Sequence, residues 1–536
     1  MTDGLGLGGA YGGTLSRIKG QGGEKAMLGM AVLMWISHSE RPLKVNELCH
    51  ALGVEIGSAD LDDDNVPSIG TLLSCCQGLV SMDKGASTVR LIHFTLEEYL
   101  RAHPELFGRV HSTMAETCLT YLNSNQVKAL SATSSPDLRV TPFLEYSSLY
   151  WGMHAKRNLS DRGEKLALKL FEDCSSHIST KLLLCGDARN FLPSTNKYSG
   201  FSGLHCASFF GLVEIVAGLV EVEDCDINKT DYTGSTPLAR AAENGHVGVV
   251  KMLLGREDVY PNGQDTEGRS PLLRASAKGY QGIVEMLLER ADVDPEKPNI
   301  YGRTPIWDAA WNGQDGVLKM LLGRDDVNPN KHDIYGETPL CTAALMGHEG
   351  AMKILLQRHD VNPSQQDNCG QTPLLGAARN GLEGAVKMLL GRHDVNPGQP
   401  NICGQTPIWA GAQNGHEGVV KMLLERDDIC PNEPDTEGRT PLWTAAQNGH
   451  EGVVKILLER SDVDADKPDG DGRTPLHCAA SGGHKRVVGI LLGRDDVKPI
   501  DQIKGGRTSR SWAAGSRHKG MLAPPEPPPP TPPNGK

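Results

Sequence analysis

A chain of 536 residues, 38% hydrophobic and 22% charged, has the length for roughly two to four domains and the ordinary balance of globular protein. Its formal charge of −12 opposes non-specific attraction to nucleic acid and anionic membranes, which share its sign, and points to protein partners. Thirteen cysteines without a Cys-x-x-Cys pair read as reduced thiols, so an intracellular location is expected, in the cytoplasm or the nucleus.

Residues 1–25 open with Gly4-Leu5-Gly6-Leu7-Gly8-Gly9, a dinucleotide fingerprint on paper that no strand precedes, so a flexible leader is expected there. The strongest apolar run, Met27 to Ile36, is about half the roughly 20 residues of a membrane span, and no small-x-small cleavage site follows. A buried helix is the expectation. A second helix is predicted after Pro42, from Val45 to Leu52, and a third from Ser68 to Gln77. Strands Leu79–Met82 and Thr88–Phe94 then form a hairpin, and Leu96–Ala102 returns to helix. Three helices and a hairpin predict a winged helix over residues 26–103; a small helical domain with one hairpin is the alternative. Residues 104–199 read as a helical region.

Arg41-Pro42-Leu43, Glu47-Leu48, Cys76-Gln77-Gly78-Leu79-Val80 and Val89 to Thr95 resemble the winged helix that follows the nucleotide-binding domain in fungal NACHT–ankyrin proteins, catalogued under the GPI inositol-deacylase winged helix. The similarity continues through Pro142 to Tyr146 and Tyr150 to Ala155, and Tyr11, Leu15, Arg17 and Ile18 resemble the helix just after NACHT. The resemblance implies a receptor-like (STAND/NLR-like) signalling protein whose repeats sense a partner while NACHT switches oligomeric state. Gly-x-x-x-x-Gly-Lys-Ser/Thr occurs nowhere, so nothing here cradles nucleotide phosphates; the chain is expected to begin where NACHT would have ended.

From residue 200 a different pattern takes over. Thr236, Ser270, Thr304, Thr338, Thr372, Thr406, Thr440 and Thr474 each open a Thr-Pro or Ser-Pro pair, 34 residues apart. Such a period marks stacked units that bury themselves against their neighbours. In the unit at Thr440, the hydroxyl caps a helix, Pro441 fits its first position, Gly449 ends it, and Val453 to Leu458 form a second, largely apolar helix. Thr-Pro-Leu-x-x-Ala-Ala-x-Asn-Gly-His strongly resembles the ankyrin repeat; tetratricopeptide units share the period but not this opening. Counting back reaches a diverged unit at Ser202, so nine units fill residues 200–499. Counting forward, Thr508 opens an incomplete tenth over 500–522, and 523–536 read as a proline-rich disordered tail, a poor seal that frays or marks a truncated gene model. The predicted fold is mostly α: an N-terminal winged helix and helical region followed by an ankyrin-repeat solenoid.

Several chemical readings fail on spacing or charge. The would-be recognition helix Ser68–Gln77 carries no Lys or Arg and follows Asp60, Asp62, Asp63 and Asp64, which suits DNA badly. Those aspartates fall short of a calcium loop, since Asn65 stands where glycine is needed and Thr71 where glutamate is needed. No Gly-x-Ser-x-Gly elbow occurs for an esterase. His246, His348, His416, His450, His484 and His518 share one repeat position, too far apart on stacked helices to share a metal, and Cys369 and Cys403 are repeat equivalents, not a disulfide. The doublets Asp325-Asp326, Asp427-Asp428 and Asp495-Asp496 are likewise copied structure. No enzyme activity, cofactor or metal is expected.

What varies between units is informative. The turn tips are apolar and aromatic in the middle of the array and polar at its flanks, and Trp307, Trp409 and Trp443 are expected to pack between units while Trp311 is more exposed. Ile300, Tyr301, Trp311, Ile334 and Tyr335 are the predicted contact patch for a protein ligand on the concave face of the repeats. The function expected is a non-enzymatic interaction scaffold, the recognition arm of a NACHT-type receptor. The alternatives are a fragment of a larger nucleotide-switched ATPase and a winged-helix DNA-binding regulator.

Overall fold

The structure, a computed structural model, describes residues 5–130, 139–172, 176–185, 200–222 and 225–497. The expected tenth unit, His518 and the proline-rich tail lie outside the described residues. The chain divides into two compact units, Met1–Pro271 with Glu289–Val293, and Leu272–Leu288 with Asp294–Lys536.

The first unit opens on α1 (Leu5–Lys19) and α2 (Gly23–His38). Residues 11–18, which resemble a helix in sequence, are helical, and the helix reaches back through the glycines for which a flexible leader was expected: Leu15 and Ile18 are buried, and Tyr11 Oη lies 2.7 Å from Thr95 Oγ1. The burial of these side chains outweighs the helix-weakening glycines. The winged helix follows in the predicted order, as α3 (Val45–Gly53), α4 (Ile69–Cys75), β1 (Val80–Asp83), β2 (Thr88–Leu91) and α5 (Phe94–Ala102). β1 and β2 pair antiparallel with Val80 opposite Leu91 and Asp83 opposite Thr88, and Lys44 bridges Thr88 on the other side.

The start of α3 is held by a buried carboxylate. Glu47 accepts from the Lys44 backbone N–H at 2.8 Å, and Arg41 donates to its two oxygens at 2.7 and 2.8 Å. The same guanidinium lies 5.4 Å from the Tyr146 ring centroid, tying the winged helix to the helices behind it.

Those helices are α6 (Val110–Leu122), α7 (Asn125–Lys128), α8 (Leu144–Arg157), α9 (Asp161–Glu172) and α10 (Ile178–Cys185). Trp35 of α2 meets Phe143 and Tyr146 edge-on at 5.5 and 6.0 Å. A polar chain crosses this apolar contact. The Glu40 backbone N–H donates to Tyr146 Oη at 3.1 Å, that oxygen lies 3.0 Å from His154 Nε2, and His154 Nδ1 lies 3.1 Å from His111 Nδ1.

Two repeats complete this unit, with helices Gly203–Phe210 and Val213–Val220, then Pro237–Glu243 and Val247–Leu254. Helix α8 lies flat on the first of them: a Cβ on Gly152 would fall 2.1 Å from the Phe210 ring, and Trp151 meets Phe210 at 5.1 Å. Helix α8 thus packs against the first helix of the first described repeat.

The second unit holds repeats whose helices recur from Gln281–Leu288 and Pro305–Trp311 to Pro475–Gly482 and Lys485–Leu492. Each is built as its residues dictate. The Thr hydroxyl accepts from the backbone N–H three residues on, as Thr440 does from Trp443 at 3.1 Å, and proline takes the first helical position. Gly347, Gly415, Gly449 and Gly483 close first helices at φ between 75° and 80°, a conformation that favours glycine. Second helices bury a repeated triad, Val453, Val454 and Leu457 in one unit.

Candidate functional site

The surface that differs from repeat to repeat is built on one repeated turn. An Asp or Asn five residues before the helix-opening threonine accepts two backbone N–H bonds across the tip: Asp333 from Tyr335 at 2.9 Å and Glu337 at 3.0 Å, Asn299 from Tyr301 at 2.9 Å and Arg303 at 3.0 Å. A glycine just after the tip, such as Gly336 at φ 82°, completes the turn. Neighbouring tips are joined in a backbone ladder: Ile334 N–H donates to Tyr301 O at 2.9 Å, Asn368 to Tyr335 at 2.9 Å, Ile402 to Cys369 at 3.1 Å and Thr436 to Cys403 at 2.9 Å. With the backbone committed to this ladder, the side chains at the tips stand outward.

Ile300, Tyr301, Ile334 and Tyr335 are 58%, 40%, 53% and 54% exposed, and Ile402, two repeats on, is 70% exposed. Four large apolar residues on two adjacent tips are more than the scattered single hydrophobes of an ordinary surface. Trp311 is less free than its position suggests. It is half-buried and stacks on Trp307, with ring centroids 5.4 Å apart and planes 10° apart.

Arg303, which was not among the predicted contact residues, joins them. Its guanidinium carbon lies 4.1 Å from the Trp307 centroid, 5.6 Å from Tyr301 and 5.9 Å from Trp311, with Nε 3.5 Å from Asp333 Oδ2. In other repeats the matching arginine turns back to its own turn: Arg269 Nε reaches Asp265 at 2.8 Å, Arg439 Nε reaches Asp435 at 2.7 Å and Arg473 Nε reaches Asp469 at 2.8 Å. Asn299 replaces that aspartate in the Arg303 turn. The signal was present in the sequence as an uncharged residue in a mostly acidic column.

The remaining repeated residues are scaffold. Trp307, Trp409 and Trp443 are buried, and each indole N–H donates at 2.9 Å to a carbonyl of the next repeat, on Glu337, Arg439 and Arg473. The histidine column is a row of latches: Nε2 of His348, His416, His450 and His484 donates to Trp311 O, Arg379 O, Gln413 O and Gln447 O at 2.9 to 3.0 Å. In the acidic doublets the second aspartate is clamped by an arginine two residues earlier, as Asp326 is by Arg324. The same arginine also donates to a leucine carbonyl of the preceding repeat, Arg392 to Leu356 at 2.8 Å and Arg460 to Leu424 at 3.0 Å. That clamp holds Asp394 and Asp462 below the usual carboxylate range.

Among the described residues no three His, Cys, Asp or Glu side chains gather as a metal site, and no helix is long and apolar enough to cross a membrane. Helix α4 carries no basic residue, as its sequence requires.

Residues 17–112 match the GPI inositol-deacylase winged helix domain, which extends past residues 26–103 at both ends. No curated protein matches the chain. Ankyrin repeats match residues 173–265, 257–333, 325–401 and 377–469, and a further single repeat matches 471–502. These repeats support a role in protein–protein interaction, and since they span more than half of its length, the chain belongs to the ankyrin repeat family.

Proposed function

We propose that this protein is a non-enzymatic interaction scaffold, the recognition arm of a NACHT-type receptor-like protein, working inside the cell. Its protein ligand would be held on the face formed by the turn tips and first helices, with Ile300, Tyr301, Trp311, Ile334 and Tyr335 as the contact patch. One observation carries this reading: two adjacent tips present four exposed apolar side chains on backbone joined by an inter-repeat hydrogen bond, Ile334 N–H to Tyr301 O. Preordered aromatic surface of this kind binds with little further entropic cost. The winged-helix match and the resemblance to NACHT–ankyrin proteins support the receptor context.

The test is affinity capture by the full chain. Tyr301→Ala with Tyr335→Ala should abolish recovery of the protein ligand, while Tyr260→Ala, which removes an exposed tyrosine of the first unit, should leave it intact. Undiminished recovery by the double variant rejects the patch.

A further inference from the structure

The exposed tips differ from their flanks in charge as well as in polarity. In the flanking turns each arginine neutralises the acids beside it: Arg269 pairs with Asp265 and Glu267, Arg439 with Asp435 and Glu437, and Arg473 with Asp469 and Asp471. In the turn that carries Ile334 and Tyr335, the arginine position is occupied by Glu337.

The Glu337 carboxylate is half-buried and makes no hydrogen bond or ion pair among the described residues. It sits among like charges. Burial raises its pKa, the Asp333 and Asp367 carboxylates raise it further, and Arg303 pulls the other way. Arg303 is already engaged with Asp333 and the Trp307 ring, and Asp367 is satisfied only by neutral donors, the backbone of Cys369 and Gln371 and the Gln371 amide. An unpaired, half-buried carboxylate among like charges, two residues along the chain from the exposed Tyr335, is an unfavourable arrangement in the free protein. A cation seated there would relieve it by forming the missing charge pair, while the exposed Ile334 and Tyr335 of the same turn offer apolar surface to the residues beside that cation.

We propose that these tips take a peptide segment in which a lysine or arginine is flanked by apolar residues, the basic group lying against Glu337 and its neighbours against Ile300, Ile334 and the two tyrosines. This rests on the reading of the tips as a protein-binding face and names the chemistry of the partner. The overall charge of −12 draws the same class of partner from a distance.

The experiment is selection of a random linear peptide display library on the full chain, followed by fluorescence anisotropy with a synthetic copy of the most enriched peptide. Enriched sequences should carry Lys or Arg between apolar residues. Glu337→Arg should weaken the peptide by about tenfold or more, and added salt should weaken the wild type more than this variant. The substitution keeps the fold within its own repertoire, since Arg269, Arg439 and Arg473 occupy the same position, and an unchanged thermal melt confirms it.

If Tyr335→Ala abolishes binding while Glu337→Arg leaves it unchanged, or if the enriched peptides lack basic residues, the tips bind protein but the basic partner is wrong. If neither variant alters binding, or the library yields no binder, the reading of the tips themselves fails.

Discussion

Arg303 rests its guanidinium carbon 4.1 Å from the centre of the Trp307 ring. It does so because Asn299, four residues earlier, caps the turn with an amide where the Arg269 turn has Asp265. An amide satisfies the backbone N–H groups equally well but offers the arginine no charge. The guanidinium leaves its own turn, pairs with Asp333 of the next one at 3.5 Å and closes on the Trp307 ring, whereas Arg439 and Arg473, held by their own aspartates, stay 5.7 to 5.9 Å from the nearest tryptophan centroids.

The contact between Arg303 and Trp307 should be measurable as a coupling. In a double-mutant cycle with Arg303→Met and Trp307→Phe, read by denaturant unfolding of the full chain, an interaction of about 0.5–2 kcal/mol is expected. Strict additivity of the two single changes would show that the stacking contributes nothing. Asn299→Asp should lower the same coupling by drawing Arg303 back to its turn.

Trp409 separates packing from hydrogen bonding. Its buried indole N–H donates at 2.9 Å to Arg439 O in the following repeat. Trp409→Phe keeps most of the packing and strips the carbonyl of its donor, and is expected to cost about 1–3 kcal/mol. Trp409→Ala also leaves a cavity and should cost about 3–5 kcal/mol. A Phe variant as stable as the wild type in urea titration would falsify the inter-repeat bond.

The buried His154 and the half-buried His111 set a pH dependence. Burial, then the neighbouring His111, Arg157 and His38, lowers His154 to about 3, while burial, Arg157 and His38 lower His111 to about 4 against the opposing pull of Glu40. Both folded values lie below the ordinary 6.5, so the unfolded chain takes up protons that the folded chain refuses. Stability from these groups is complete above pH ~6.5 and is lost progressively as pH falls towards ~4 and below. Melting temperature should fall with acid across this window, and His154→Gln should flatten the slope. Parallel slopes for variant and wild type would remove His154 from the account.

Much of this molecule was legible because its instructions are local. A threonine that caps a backbone donor three residues away, a proline at the first helical position and a glycine at positive φ act within one turn of chain, and their 34-residue recurrence marks each repeat in the sequence. The winged helix could be read from the same short-range signals. The first helix could be read only in part: Tyr11 to Ile18 resemble a known helix, but the glycines before them argue locally against its extension to Leu5.

The surface chemistry was decided by tertiary structure. Whether a tryptophan is an anchor or a strut depends on a carbonyl 30 residues away, as for Trp307 and Glu337, and the histidine latches reach 37 residues back, as His348 does to Trp311. Sequence alone determined that the chain repeats and how each repeat starts and stops. Which side chains remain free to meet a partner was settled only by stacking, because burial and charge pairing at each position are set by the residue that occupies the same place in the next repeat.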